Sequence, residues 1–201
     1  MSLLLALTAA AACRGETRPS AAPSPASSPS PDARAAGPAT PVILFVGTSL
    51  TAGYGLDPAE AYPALIQHKL DAAGLRYRVV NAGVSGETSA GARRRIDWLL
   101  AQPVAVLAVE TGANDGLRGI DPQDARANIQ AIFDRAKKQS PPPRLMLIGM
   151  AAPPNLGSRY AGAFAAIYPE LARENGAALV PFLLEGVAGI PRLNLPDGVH
   201  P

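Results

Sequence analysis

The stretch VILFVGTSLTAGYGL, residues 42–56, decides the fold. Its first five residues are apolar without interruption and rich in β-branched side chains, which suits a strand buried on both faces. Gly47 closes that run, and a turn carrying Gly53 and Gly55 leads to an amphipathic segment that predicts a helix over 58–73. The same unit repeats outward along the chain. YRVVNA (77–82), VAVLAVE (104–110), LMLIGM (145–150) and AALVPF (177–182) read as further strands, with helices expected over 88–101, after Asp121-Pro122, and over 158–175. Asp121 is a good helix cap and Pro122 suits a first turn. Continuous apolar strands separated by helical crossovers predict a parallel sheet covered on both faces, an α/β fold in three layers.

In such sheets ligands gather at the carboxyl ends of the strands, so the residues that follow the strands carry the functional information. Strand one runs into Gly47-Thr48-Ser49-Leu50, strand two into Asn81-Ala82-Gly83, strand three into Gly112-Ala113-Asn114-Asp115, and the loop after strand five reaches Asp197-Gly198-Val199-His200. Together they hold what acyl transfer requires: a hydroxyl, donors for an oxyanion, and an imidazole with an acid beside it. Ser49, at a helix start, can act as nucleophile with its own N–H aimed at developing negative charge, or serve simply as an N-cap. The chain has two histidines; His68 lies between Gln67 and Lys69 on a helix, which leaves His200 as the general base. Asp197, three residues before it, is placed to fix the ring in one tautomer, although a D-x-x-H run is also an ordinary surface loop. Gly83 can bring its N–H close to a substrate and the Asn114 amide can supply another donor; each is equally at home in a turn.

Five segments then resemble the consensus blocks of the SGNH/GDSL hydrolases, specifically the thioesterase I/lysophospholipase L1-like (arylesterase) group: FVGTSLTAGYGL (45–56), NAGVSGETSAG (81–91), TGANDGLRG (111–119), AIYPELA (166–172) and DGVHP (197–201). The resemblance runs from Val42 to Pro201. It implies a flavodoxin-like five-stranded parallel sheet, with Ser49, Gly83, Asn114 and His200 as the S, G, N and H, and Asp197 completing the triad. The implied oxyanion hole is Ser49, Gly83 and Asn114, and the resemblance implies neither metal nor organic cofactor. The substrate it implies is a small-molecule ester, thioester or lipid, held in a hydrocarbon groove for which Leu117, Ile120 and the stretch from Ala152 to Leu156, Pro154 included, are the expected walls. A carbohydrate O-deacetylase of the same fold and a catalytically dead acyl- or glycan-binding relative are the alternatives. Thr48 stands where the family's G-D-S-L has Asp, so a differently braced loop is expected. Relatives continue past D-x-x-H into a final helix, so the domain is expected to be cut short at its C-terminus.

Two other folds are disfavoured by the same residues. The larger α/β-hydrolases need G-x-S-x-G, but Ser49 lies in G-T-S-L-T and Ser85 in G-V-S-G-E. No G-x-G-x-x-G joins a strand to a helix, which disfavours a nucleotide-binding protein.

Upstream of this domain, MSLLLALTAAAA (1–12) is an apolar run that ends in small residues, followed by Cys13, the chain's single cysteine. Residues 1–13 resemble a bacterial lipoprotein signal, with export expected and membrane attachment through an acylated Cys13 set against plain cleavage. Residues 14–40, rich in Pro, Ser and Ala, read as a linker that cannot bury enough apolar area to fold. The expected organisation is therefore 1–13 signal, 14–40 linker and 41–201 hydrolase domain, in the periplasm or on a membrane facing it. A net charge of +2, with Arg93, Arg94 and Arg95 beside Asp97 as the only tight basic cluster, is no nucleic-acid footprint.

Overall fold

Five strands, β1 (Val42–Gly47), β2 (Arg78–Gly83), β3 (Val106–Glu110), β4 (Arg144–Ile148) and β5 (Ala178–Val180), pair in parallel in the order β2-β1-β3-β4-β5. The computed structural model describes residues 39–201. The expected signal segment and the linker up to residue 38 lie outside the described residues. Six helices connect the strands: α1 (Ser49–Ala52), α2 (Tyr62–Ala72), α3 (Ser89–Leu99), α4 (Ala113–Leu117), α5 (Pro122–Ala136) and α6 (Ser158–Asn175). This is the expected α/β sheet, in the flavodoxin-like strand order.

Alternation along the strands divides the core. Leu44 and Val46 of β1, with Leu107 and Val109 of β3, face Ile129, Ile132 and Phe133 of α5 and Phe164, Tyr168 and Leu171 of α6. Phe45, Ala108 and Ile148 face the other way, towards Tyr62 and Ile66 of α2. Each fully buried aromatic or aliphatic side chain of this kind stabilises the fold by about 1.5–3 kcal/mol. The helices thus form a layer on either side of the sheet.

Boundaries differ from the sequence reading where local turns compete with periodicity. The helix predicted over 58–73 starts at Tyr62, because residues 57–60 close a turn in which Asp57 accepts from the Ala59 and Glu60 N–H groups. The last strand keeps only Ala178–Val180, the three residues that find partners in β4. Asp121 does cap α5, accepting from the Gln123 N–H at 2.9 Å.

From β1 the chain moves to β2 on one side and then returns past β1 to β3, β4 and β5 on the other. The carboxyl ends of β1 and β3 therefore flank the point where the winding reverses, where a crevice opens in sheets of this kind. Ser49 and Asn114 follow those two strands.

Candidate active site

Ser49 opens α1 directly after β1, with extended Thr48 as the residue before it. It is largely buried, and its Oγ lies 2.8 Å from His200 Nε2. His200 Nδ1 lies 2.8 Å from Asp197 Oδ2, while Asp197 Oδ1 accepts from the backbone N–H groups of Val199 at 2.9 Å and His200 at 3.0 Å. The His200 N–H, its ring and then the Val199 N–H lower the Asp197 carboxyl to about 2, so it is ionised and can only accept. Nδ1 must then carry the imidazole proton, leaving the Nε2 lone pair to accept from the Ser49 hydroxyl. Leu195 donates to the His200 carbonyl at 2.7 Å and closes the loop, and the Tyr54 ring lies 4.5 Å from the imidazole.

Beneath Ser49 lies Glu110, the last residue of β3, fully buried. Its carboxylate accepts from the Thr48 N–H at 2.9 Å, the Thr48 hydroxyl at 2.9 Å and the Thr51 hydroxyl at 2.8 Å. Burial raises the Glu110 carboxyl above its ordinary range while these donors pull it back. Thr48 thus braces the nucleophile turn through an acid of the neighbouring strand.

Asn114 sits on α4, where its amide donates to the Glu87 carbonyl at 3.1 Å and keeps a second N–H for another acceptor. Asp115, buried beside it, accepts from the Ser89 N–H at 2.8 Å and hydroxyl at 2.6 Å, tying α4 to the start of α3. Arg118 donates to the Gly86 carbonyl at 2.9 Å, and Glu87 pairs with Arg95 at 2.6 Å. These contacts hold the loop after β2 against α4.

Gly83 is a correction. Its N–H donates to Asn81 Oδ1 at 2.9 Å, it pairs with Gly47 in the sheet, and it does not line the cleft at Ser49. An added Cβ there would meet the Ala52 nitrogen at 2.3 Å, so Gly83 is small because α1 packs on it. Gly86, three residues on, lines the cleft with Ser85 and Asn114, and no described residue accepts its N–H. Its φ of 78° is the left-handed conformation that glycine adopts without strain. The signal for Gly86 was its position in the loop past the strand, whereas Gly83 still belongs to β2.

The cleft holds about 750 Å³. Leu117, Met150, Ala152, Pro153, Phe182 and Leu184 are among its walls, and no Lys, Arg, Asp or Glu among the described residues lines it. Leu117 is where the sequence placed it. Ile120 is not among the described lining residues, and its carbonyl accepts from the Tyr160 hydroxyl at 2.6 Å. The wall after β4 includes Met150 to Pro153, and Pro154 opens the short 3-10 turn Pro154–Leu156.

A serine, an imidazole and a carboxylate in sequence at the reversal point of a 2-1-3-4-5 sheet narrow the possibilities, and the family model for the GDSL-like lipase/acylhydrolase family matches residues 45–201. The chain belongs to that family. It is accordingly an ester-hydrolysing enzyme. Similar to it are the esterase TesA of Pseudomonas aeruginosa, 42% identical over 164 residues with 81% of each chain covered, and the thioesterase 1/protease 1/lysophospholipase L1 of Escherichia coli, 42% identical over 165 residues, covering 81% of this chain and 76% of that one. Among solved structures, the SGNH-hydrolase family esterase AlinE4 is 46% identical, with a TM-score of 0.73 over 81% of this chain and 86% of that one.

Proposed function

We propose that this chain hydrolyses acyl esters or thioesters of hydrocarbon-chain acids, the substrate class of a lysophospholipase, arylesterase or thioesterase, through an acyl-enzyme on Ser49. The observation that carries this reading is the pair of 2.8 Å contacts, Ser49 to His200 and His200 to Asp197, at one end of an apolar cleft. Ser49 Oγ attacks the carbonyl carbon as its proton passes to His200 Nε2, and the Asp197 carboxylate stabilises the imidazolium that results. The oxyanion collects the Ser49 N–H, the Gly86 N–H and the free N–H of Asn114. His200 returns the proton to the departing alkoxide or thiolate, leaving acyl-Ser49. Water then attacks with His200 again as base, releasing the acid and restoring the hydroxyl. A carbohydrate deacetylase would be served by polar walls for sugar hydroxyls, whereas most of the described lining of this cleft is apolar.

The test is a burst assay with p-nitrophenyl esters from acetate to decanoate on the parent chain and Ser49→Ala. A burst of about one equivalent, lost in the variant, is the expected result; Ser49-independent turnover at the parental rate contradicts the reading.

Export and attachment to a membrane through Cys13 belong to the same proposal, supported by the apolar run before Cys13 and the Pro/Ser/Ala-rich segment after it. Expressed in a bacterium, the chain should fractionate with membranes and Cys13→Ser should not; equal partition of the two contradicts anchoring.

A further inference from the structure

The four-residue helix that begins at Ser49 is too short to hold itself together, so something else must fix the nucleophile. Thr48, immediately before Ser49, and Thr51, two residues after it, both end on the Glu110 carboxylate. Thr51 also shares a hydrogen bond of 2.7 Å with the Tyr62 hydroxyl of α2. One buried side chain at the end of β3 therefore clamps the turn after β1 from both sides of Ser49. Glu110 also lies four residues before Asn114, so the clamp ties the nucleophile to the strand that delivers an oxyanion donor. The space is cut to fit: an added Cβ at Gly47 would lie 2.8 Å from Glu110 Oε2 and 1.9 Å from Thr51 Oγ1. The Thr48 N–H and the hydroxyls of Thr48 and Thr51 can each donate to the Glu110 carboxyl oxygens. No Lys, Arg or His pairs with it among the described residues.

We infer that Glu110 is the positioning residue of the nucleophile, acting through the Thr48 N–H and the hydroxyls of Thr48 and Thr51 to hold Ser49 Oγ within reach of His200. It touches no substrate and moves no proton in the reaction. Its effect is on the geometry of attack, where an error of about 1 Å can cost about 10²-fold in rate. The inference rests on Ser49 as nucleophile. It goes further in predicting that Glu110 and Thr51, which are not among the residues lining the cleft, control Ser49 reactivity without altering substrate binding.

The experiment compares the parent with Thr48→Val, Thr48→Ser and Glu110→Gln. It measures kcat and KM on p-nitrophenyl butyrate, the rate of Ser49 labelling by a fluorophosphonate, and melting temperature, with all assays far below the melting transition. Val keeps the shape of Thr and removes its hydroxyl; Gln puts an N–H₂ where one donor expects an oxygen. Both variants should lose about 10- to 100-fold in kcat and in labelling rate together, with KM within about twofold, and Thr48→Ser should recover the parental values. Parental kcat and labelling rate in both Thr48→Val and Glu110→Gln overturn the inference, as does a loss that Thr48→Ser shares or that follows the unfolded fraction. A parent chain that fails to label, or a Ser49→Ala chain that turns over, instead sinks the reading of Ser49 itself.

Discussion

At the residue scale the relay makes separable predictions. Asn114→Ala should lower kcat about 10²- to 10³-fold, corresponding to about 3 kcal/mol, with little change in KM, because its free N–H serves the oxyanion more than the ground state. Asp197 follows a definite sign. Its carboxyl is lowered to about 2, so its hydrogen bonds to the His200 loop are present above the ordinary carboxylate range and are lost as pH falls from about 4 towards 2. Asp197→Asn should therefore lower kcat by about 10²-fold or more throughout the neutral range and leave the loop's order insensitive to acid between those limits. A pH–rate profile of both proteins, with loop order followed by hydrogen exchange, checks this; an Asn variant with parental activity at neutral pH contradicts it. Ser49, Asn114, Asp197 and His200 were legible because each residue type is scarce or sits in a short loop at a strand end. Gly86 was not, because NAGVSG offers two glycines and only the folded structure shows that Gly83 gives its N–H to the Asn81 side chain.

At the element scale, the packing of α1 on β2 gives Gly83 a structural duty that its mutation should expose. A Cβ at Gly83 meets backbone, not a flexible side chain, so Gly83→Ala should cost about 1–3 kcal/mol and displace Ser49 as α1 shifts. A Cβ at Gly86 meets nothing within 4 Å, so Gly86→Ala should cost only the strain of its φ, about 1 kcal/mol. Chemical denaturation of the two variants checks the order; a smaller loss at Gly83 than at Gly86 contradicts it. The long helices were readable from apolar periodicity, and Asp121-Pro122 marked the start of α5. The five-residue helix α4 was not, since ANDGL is too short for periodicity and carries Gly116; tertiary hydrogen bonds through Asp115 hold it.

At the scale of the whole molecule, the strand order brings the loops after β1 and β3 to the crevice between them, and the loop after β5 closes over it with Asp197 and His200. The sequence supplied the elements and the loops. The walls of the cleft were only partly legible, because which side of a loop faces inward depends on contacts such as Tyr160 on the Ile120 carbonyl. With mostly apolar walls and no Lys, Arg, Asp or Glu among its described lining residues, the cleft should favour longer acyl chains until it is full. Each buried methylene is worth about 0.8 kcal/mol, so kcat/KM on p-nitrophenyl esters should rise by up to about fourfold per CH₂ above acetate. A flat profile, or a maximum at acetate, contradicts a hydrocarbon groove.

The central claim is that the acyl group passes through Ser49. Acid-quenching the enzyme during turnover of an ester and weighing its peptides tests it directly. One acyl group is expected, confined to the peptide that contains Ser49 and absent from Ser49→Ala. Turnover with no such adduct, persisting in Ser49→Ala, would contradict it.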